Sequence, residues 1–412
     1  MESRAMPEFE EARRIILEHV AALDAEQVEL LDSLGRVLAE DVVARWALPS
    51  FNNSEMDGYA VRAADCGDSQ PLPIIDYVAA GGRATKSVTP GTAIKIMTGA
   101  PVPEGGDSVV PFEDAEESGG TVRVMKPVAL HQHVRFAGED VREGETILAA
   151  GRLIRPYEIS MLACCGREHV TVVRRPTVAI VATGDELIEL GETPSMGQVV
   201  NSNSYALAAA VTNVGALPVR VGIARDELAS HREKLAEGLK ADVLITSAGV
   251  SVGDRDLVRE VLGELGVKIV FWRVKVKPGK AMAFGMTEDK PGKPVFALPG
   301  NPVSSMLTFE EFVAPALLKM MGHREMVQPL FAAVLQSDLK KRAGHTHLVR
   351  VRLEYVKGKY LAWSAGRQDS GVLKSLVEAN AIAVLPAERD FVAAGEEIQV
   401  HLLGRAVGMT AL

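Results

Sequence analysis

"TVAIVATGDEL", residues 177–187, decides how the chain is read. Thr177 to Thr183 is a short apolar, β-branched run of the kind that forms a strand buried on both faces, and it ends abruptly in Gly184-Asp185-Glu186. The segments after it keep alternating. "NSYALAAAVTNVG" predicts a helix, "LPVRVGI" a strand, "DELASHREKLAEGLK" an amphipathic helix and "DVLITS" a strand. "DRDLVREVLGELG" then predicts a helix, "KIVFWRVKV" and "KPVFALP" two strands, and "PVSSMLTFEEFVAPALLKMM" a long closing helix. Strands and helices alternating at this spacing predict a doubly wound parallel sheet over 177–325.

Outside that block the pattern changes. Residues 8–23 carry apolar residues at helical spacing, and a second helix is expected over about 29–41. "RWALPSFNNSEMDGYAV" breaks the periodicity, and from about 70 to 150 short β-like pieces separated by Gly-Gly turns predict a small, mainly β module. "RPYEISMLACCG" is a helix with Pro156 at its start, followed by the strand "HVTVV" and a boundary at Arg174-Arg175-Pro176. From 326 onward β character returns, with a hairpin turning near Gly358. The expected layout is an N-terminal helical segment (1–44) packing with 145–176, an inserted β module (45–144), the α/β domain (177–325) and a C-terminal β domain (326–412). The fold class is multidomain α/β plus β.

Composition excludes several functions. The 412 residues are 47% hydrophobic, 24% charged and 5% aromatic, with a net charge of -9, as in a soluble globular enzyme. An acidic chain of this kind is not expected to bind nucleic acid or a membrane surface in bulk. Cys66, Cys164 and Cys165 make neither a disulfide framework nor a zinc spacing. The acidic start and the lack of a long apolar run lead to an expected cytoplasmic location.

The unusual residues fall after the predicted strands: "TGDE" (183–186), "RDE" (225–227), "SAGVSVGDRD" (247–256), "KPGK" (277–280) and "LPGNPVSS" (298–305). Open parallel sheets bind ligands outside the carboxyl ends of their strands, so these loops predict one shared site. Ser247, Gly249, Ser251 and Gly253 could ring a phosphate with hydroxyls and backbone N–H groups. Strand alternation would put Arg273, Lys275 and Lys277 on one face, with Pro278-Gly279 turning the chain and Lys280 beyond. That is much positive charge for an acidic protein, and it implies a specific anion. Asp185, Glu186, Asp226, Asp254 and Asp256 add carboxylates that a divalent metal could bridge to phosphate oxygens. Together they suggest cleavage or transfer at a phosphoanhydride. Duller readings exist: Asp226 and Asp254 could be helix caps, Lys275 a solvated edge residue, and Asn301-Pro302 a helix-start turn. His131-x-His133 and His345-x-His347 each put two imidazoles on one strand face, too few for a metal site without further ligands.

"FNNSEMDGYAV", "IMTGAPVPEG", "AGED", "VATGDEL", "SAGVSVGDRD", "VKPGKAMAFG" and "LPGNPVSS" occur here in an order and spacing that resemble the MoeA family, molybdopterin molybdenumtransferases related to gephyrin's E domain. The resemblance runs from about residue 7 to 405. It implies a homodimer of four-domain subunits, with a MogA-like molybdopterin-binding domain and an active site at the subunit interface. It also implies adenylylated molybdopterin and molybdate as substrates, Mg²⁺ as cofactor, release of AMP, and insertion of molybdenum into the dithiolene. Molybdopterin adenylyltransferase and acceptor molybdoenzymes would be partners. By motif, Asp57, Thr98 and Asp140 belong to the β module. Glu186, Asp226 and Asp256 are the acidic metal and substrate residues. Lys277, Pro278, Lys280, Asn301 and Ser304 hold substrate or oxyanion, with Arg273, Arg350 and Ser370 completing the anion pocket. Arg273 and Ala248 depart from the family's usual lysine and glycine. A tungstate-inserting relative and a gephyrin-like scaffold without turnover are the alternatives.

Overall fold

A computed structural model describes residues 4–67, 70–249 and 257–403. The chain divides into two compact units, residues 1–26, 35–37 and 172–412 in one and residues 27–34 and 38–171 in the other.

The larger unit contains a seven-stranded sheet. Its main strands are β1 (Thr177–Thr183), β2 (Leu217–Ala224), β3 (Val243–Ser247), β4 (Val267–Trp272), β5 (Ala283–Thr287) and β6 (Pro294–Leu298). The spatial order is Arg4–Ala5, β4, β5, β6, β3, β1, β2. Helices α1 (Ser202–Val214), α2 (Leu228–Gly238), α3 (Leu257–Glu264) and α4 (Pro302–Thr308) connect or follow the strands. The continuous apolar strands are explained by cores on both faces. Val178 and Ile180 pack into one cluster with Leu207 and Val211 of α1. Their neighbours Ala179 and Val181 point the other way, into a cluster with Leu235 of α2 and Val258 and Val261 of α3. Fully burying one such side chain, Phe296 for example, stabilises the fold by roughly 1.5–3 kcal/mol.

Two expectations need correction here. The predicted strand "KIVFWRVKV" ends at Trp272, because Arg273 takes φ +84° and the chain turns back, with the Arg273 N–H donating to the Met282 carbonyl and the Val274 N–H to Lys280. The run that turns back, β5, is antiparallel to both β4 and β6, so one strand opposes the otherwise parallel sheet. Arg273, Lys275 and Lys277 therefore do not share a strand face. Val276–Lys277 instead pairs with a strand of the C-terminal domain, and Lys275 pairs with Glu8.

That C-terminal domain has strands β7 (Phe331–Leu335), β8 (Thr346–Val356), β9 (Lys359–Ser364), β10 (Ala381–Leu385) and β11 (Glu397–Leu402). The order β8-β9-β7-β11-β10 closes on itself because β8 also pairs with β10. Closure removes the open edges. The hairpin turn at Gly358 is as expected, with Val356 opposite Lys359.

In the other unit, a six-stranded sheet runs Ser108–Pro111, Gly58–Val61, Ala93–Ile96, Leu72–Val78, Thr121–Val124, Ala115–Ser118. Gly58 is required by close approach: a Cβ there would lie 2.0 Å from the Val110 carbonyl oxygen. The helix Pro156–Cys164 starts on Arg155, whose N–H is bonded by Glu158. Across residues 29–41 no helix forms. Leu31–Ser33 is a single 3₁₀ turn, Gly35 is left-handed at φ +74°, and Leu31 and Leu34 stay exposed. Gly35 interrupts the run, and Val37 and Leu38 beyond it are buried without a helix, so helical spacing alone does not decide the local structure. Among the described residues no helix is long and apolar enough to cross a membrane.

Candidate active site

The parallel registers set Thr183 against Ala224, Ala182 against Ser247 and Ser247 against Leu298, so the loops after β1, β2, β3 and β6 leave one edge at one level. β1 connects toward β2 on one side while β3 leads away on the other. The crevice between their ends is a topological switch point. A cavity of about 560 Å³ lies there, lined by Thr183, Glu186, Asn203, Ser247, Gly249 and Asn301 among others. The Asn203 amide, in the first turn of α1, donates to the Ser247 hydroxyl at 3.0 Å and to the Gly300 carbonyl at 2.8 Å, tying three loops together. Gly184, at φ +137°, leaves room for Glu186 to fold back: a Cβ there would meet the Glu186 carboxylate at 2.3 Å. Arg225 braces the same loop by donating to the carbonyls of Gly184, Asp185 and Leu187. Ala248 sits at φ +74°, a left-handed conformation that glycine adopts without strain.

The acidic residues are not equivalent. Glu186 lines the cavity; Asp226 does not, although its N–H donates to the Asp185 carboxylate at 3.1 Å. The cap reading of Asp226 is also corrected, since α2 begins at Leu228 with Glu227 at the N-cap position. Ser251, Gly253, Asp254 and Asp256 lie outside the described residues. Among the described residues no three His, Cys, Asp or Glu side chains group as metal ligands. The donor chemistry still suits Mg²⁺, which takes one or two carboxylates and completes its shell with water and substrate phosphate.

A second cavity of about 950 Å³ adjoins the first, sharing Ala281, Pro299 and Asn301 in its lining. Here the structure unites Lys277, Pro278, Lys280, Ser304, Arg350 and Ser370 from four separate stretches of sequence. Lys277 reaches it because Val276–Lys277 pairs with Thr346 and His347 at the start of β8. Ser370 is held against α4 by the Val303 N–H, which donates to its carbonyl at 3.2 Å. Arg350 is buried at 1% exposure and donates to the carbonyls of Arg367 and Asp369 and to the Ser375 hydroxyl, so it also fixes the loop that carries Ser370. Burial pulls its pKa below the usual guanidinium value. Arg273 lines neither cavity.

Sequence reasoning missed most of the second wall: Lys340, Lys341, Arg342 and the His345/His347 pair. Only the His-x-His spacing stood out, and nothing in it pointed to lysines far upstream. Burial and the nearby lysines push both imidazoles down, His347 to about 4.

In the smaller unit, the "MDGYA" and "MTGAP" loops meet. Asp57 accepts from the Thr98 N–H at 2.7 Å and from its hydroxyl at 2.8 Å, and these bonds lower the Asp57 pKa. The Gly99 N–H donates to Ser54. Asp140 is exposed on a loop whose backbone is fixed by Leu48.

Residues 7–166 match the family described as "MoeA N-terminal region (domain I and II)", 179–319 the "probable molybdopterin binding domain", and 332–403 the "MoeA C-terminal region (domain IV)". A molybdopterin molybdenumtransferase of Nostoc is 36% identical, the match covering 96% of this chain and 93% of the relative. The chain belongs to the MoeA family. Another relative, molybdopterin molybdenumtransferase 2 of Mycobacterium tuberculosis, is 35% identical across 96% of this chain and 99% of its own length. A crystal structure of the molybdopterin biosynthesis MoeA protein from Pyrococcus horikoshii superposes with a TM-score of 0.81 at 31% identity, covering 96% of this chain and all of that one. A Pyrococcus furiosus molybdenum cofactor biosynthesis protein, 23% identical with a TM-score of 0.59, shares the fold.

Proposed function

We propose that this MoeA-family chain inserts molybdenum into molybdopterin, with molybdate and adenylylated molybdopterin as its substrates. The observation that carries this reading is the pair of adjoining cavities with opposite chemistry. One is walled by cations suited to a tetrahedral oxyanion, the other lies at a sheet switch point with Glu186, Ser247 and Gly249. Lys277, Lys280, Ser304, Arg350 and Ser370 hold molybdate. Ser247, Gly249 and Asn301 orient the adenylylated pterin, so that its phosphoanhydride lies by the acidic edge and its dithiolene faces the oxyanion. Hydrolysis breaks the P–O–P link, adds the elements of water and frees AMP. Glu186, which lines the switch-point cavity, would hold Mg²⁺ together with substrate phosphate, and the ion would supply Lewis-acid polarisation of the phosphate oxygens.

The reading includes a homodimer in which Asp57, set by Thr98, and Asp140 act across the subunit interface. The first experiment is AMP release from adenylylated molybdopterin with Mg²⁺, comparing molybdate, tungstate and no oxyanion. Molybdate-dependent release with cofactor formed is expected. Binding without AMP release would overturn turnover in favour of a scaffold, and preference for tungstate would change the metal. Mixing inactive Asp57→Ala and Glu186→Ala subunits should restore about a quarter of wild-type activity if the site is shared, by statistical pairing of subunits. No recovery despite subunit exchange would place Asp57 elsewhere.

A further inference from the structure

The closing helix does not run straight on from α4. Phe309–Val313 makes one wide π-type turn before the helix resumes at Ala314–Met320. Such turns are uncommon and frequently sit at functional positions. This one carries Glu311, a buried carboxylate that binds two other parts of the chain. One of its oxygens accepts from the Arg13 guanidinium of the helix Phe9–His19 at 2.6 Å, and the Arg13 Nε donates to the Glu311 carbonyl at 3.1 Å. The other oxygen lies 2.7 Å from Nε2 of His401 in β11. Nδ1 of the same ring is 2.9 Å from the Leu402 carbonyl. A carbonyl only accepts, and a carboxylate held by a guanidinium is ionised and only accepts. Both ring nitrogens therefore donate, which is the imidazolium form.

His401 stands on the barrel face that packs against the α/β domain. It pairs with Ile382 of β10, and Ile382 pairs with Arg350 of β8. Residues directly opposite one another across strands share a face. On that face Ile382 and Leu348 are buried in one core with Phe309 and Phe312 of the closing helix. A single row thus runs from the charged joint, through the apolar contact, to the arginine of the cationic cavity. We propose that His401 is a positioning residue: clamped as an imidazolium by Glu311, which Arg13 holds, it seats the barrel on the α/β domain and keeps Arg350 and the Ser370 loop in register with Lys280 and Ser304. That the cavity's oxyanion is molybdate rests on the insertase reading above.

The groups around the ring make the joint proton-linked. Glu310 and Glu311 face it from the closing helix, and Arg13, itself paired with Glu10, stands behind them on the N-terminal helix. Burial opposes the charged ring, but the Glu311 bond and charge, the Leu402 carbonyl and Glu310 outweigh it, so His401 titrates above the usual imidazole value. Burial likewise opposes the Glu311 carboxylate, and His401 and Arg13 outweigh it there. A cavity of about 300 Å³, lined by Arg13, Glu310, Glu311 and His401 among others, gives the joint access to solvent protons. Because the folded value of His401 is raised, the joint's stabilisation is complete below the unfolded value of about 6.5 and is lost as pH rises through the folded one.

The test compares the whole wild-type protein with His401→Gln, which keeps a hydrogen-bond donor but carries no charge. Wild-type molybdate affinity, by isothermal titration, should fall about fivefold from about pH 6.5 to about pH 9. The variant should begin near the wild-type alkaline value and change less than about twofold over the same range. Urea unfolding should show a loss of stability with rising pH in wild type that the variant lacks. Lys341, whose pKa burial lowers, lines the same cavity but is common to both proteins and cancels in the comparison. Equal affinity slopes in the two proteins would overturn the positioning role, whatever the unfolding data show. A readout that needs no variant is NMR of wild-type protein with isotope-labelled histidine: if none of the nine imidazoles titrates above the usual value, the joint is not an imidazolium and the proposal fails. Failure of the insertase reading is separable, since AMP release can be absent while the His401-dependent slope in unfolding persists.

Discussion

The two cavities of the larger unit share a wall and differ in almost everything else. The switch-point cavity is built from the ends of neighbouring strands, with small residues, backbone, three asparagines and Glu186. The larger cavity takes six cationic side chains, Lys277, Lys280, Lys340, Lys341, Arg342 and Arg350, against Asp369. The first is a product of sheet register, where a small shift would misplace every loop. The second is a product of docking a barrel against that sheet, through the Val276–Lys277 pairing with β8. Geometry defines one cavity and charge the other, and perturbations should separate them.

The largest effect is expected from Lys280→Ala, which removes an oxyanion donor from the cationic cavity. Turnover should fall about 100-fold or more, with raised molybdate demand. An effect below threefold in steady-state kinetics would mean that charge is not what defines that cavity. Next is Asp242, which anchors the N-terminal end of β1. It accepts a bidentate pair from Arg174 at 2.7 and 2.8 Å, plus the Thr177 N–H and hydroxyl. These partners hold its pKa down to about 2, against an ordinary 3.8. Because the folded value is depressed, the stabilisation is fully present above about pH 4 and is lost as pH falls toward 2. Asp242→Ala should cost about 2 kcal/mol at pH 7 and much less near pH 2, read by thermal melting at both pH values. Asn203→Ala, which unties Ser247 from Gly300, should lower kcat/KM roughly tenfold and leave molybdate affinity unchanged in titration. If molybdate affinity falls equally, the two cavities act as one. Ala248→Gly relieves a left-handed alanine and should stabilise by about 1 kcal/mol in denaturant unfolding, with turnover within about twofold.

How much was legible follows the same division. The five loops of the α/β edge could be placed from apolar runs and the residues that end them, since strand ends at one level follow from parallel register. Glu186, Ser247 and Gly249 duly line one cavity. Asn203 was missed because an asparagine in the first turn of a helix reads as helix-start chemistry, and only its two bonds reveal the tie between loops. Lys277 was found for a partly wrong reason: the strand supposed to align it with Arg273 and Lys275 breaks at Arg273. The helix expected over 29–41 does not form because the chain turns at the left-handed Gly35, and Val37 and Leu38 reach the core without it.

By itself, the sequence determined the alternation of strand and helix, the apolar faces that make a doubly wound sheet, and the motifs that mark the chain as a member of the MoeA family. Periodicity and local turn chemistry are short-range properties, written within a dozen residues. Only the tertiary structure decided that β5 runs antiparallel, that Lys277 leaves its own sheet to pair with β8, and that His345 and His347 face lysines from another domain. Those contacts join residues far apart in the chain, and their energies come from burial, register and the summed field of charges, which no local stretch contains.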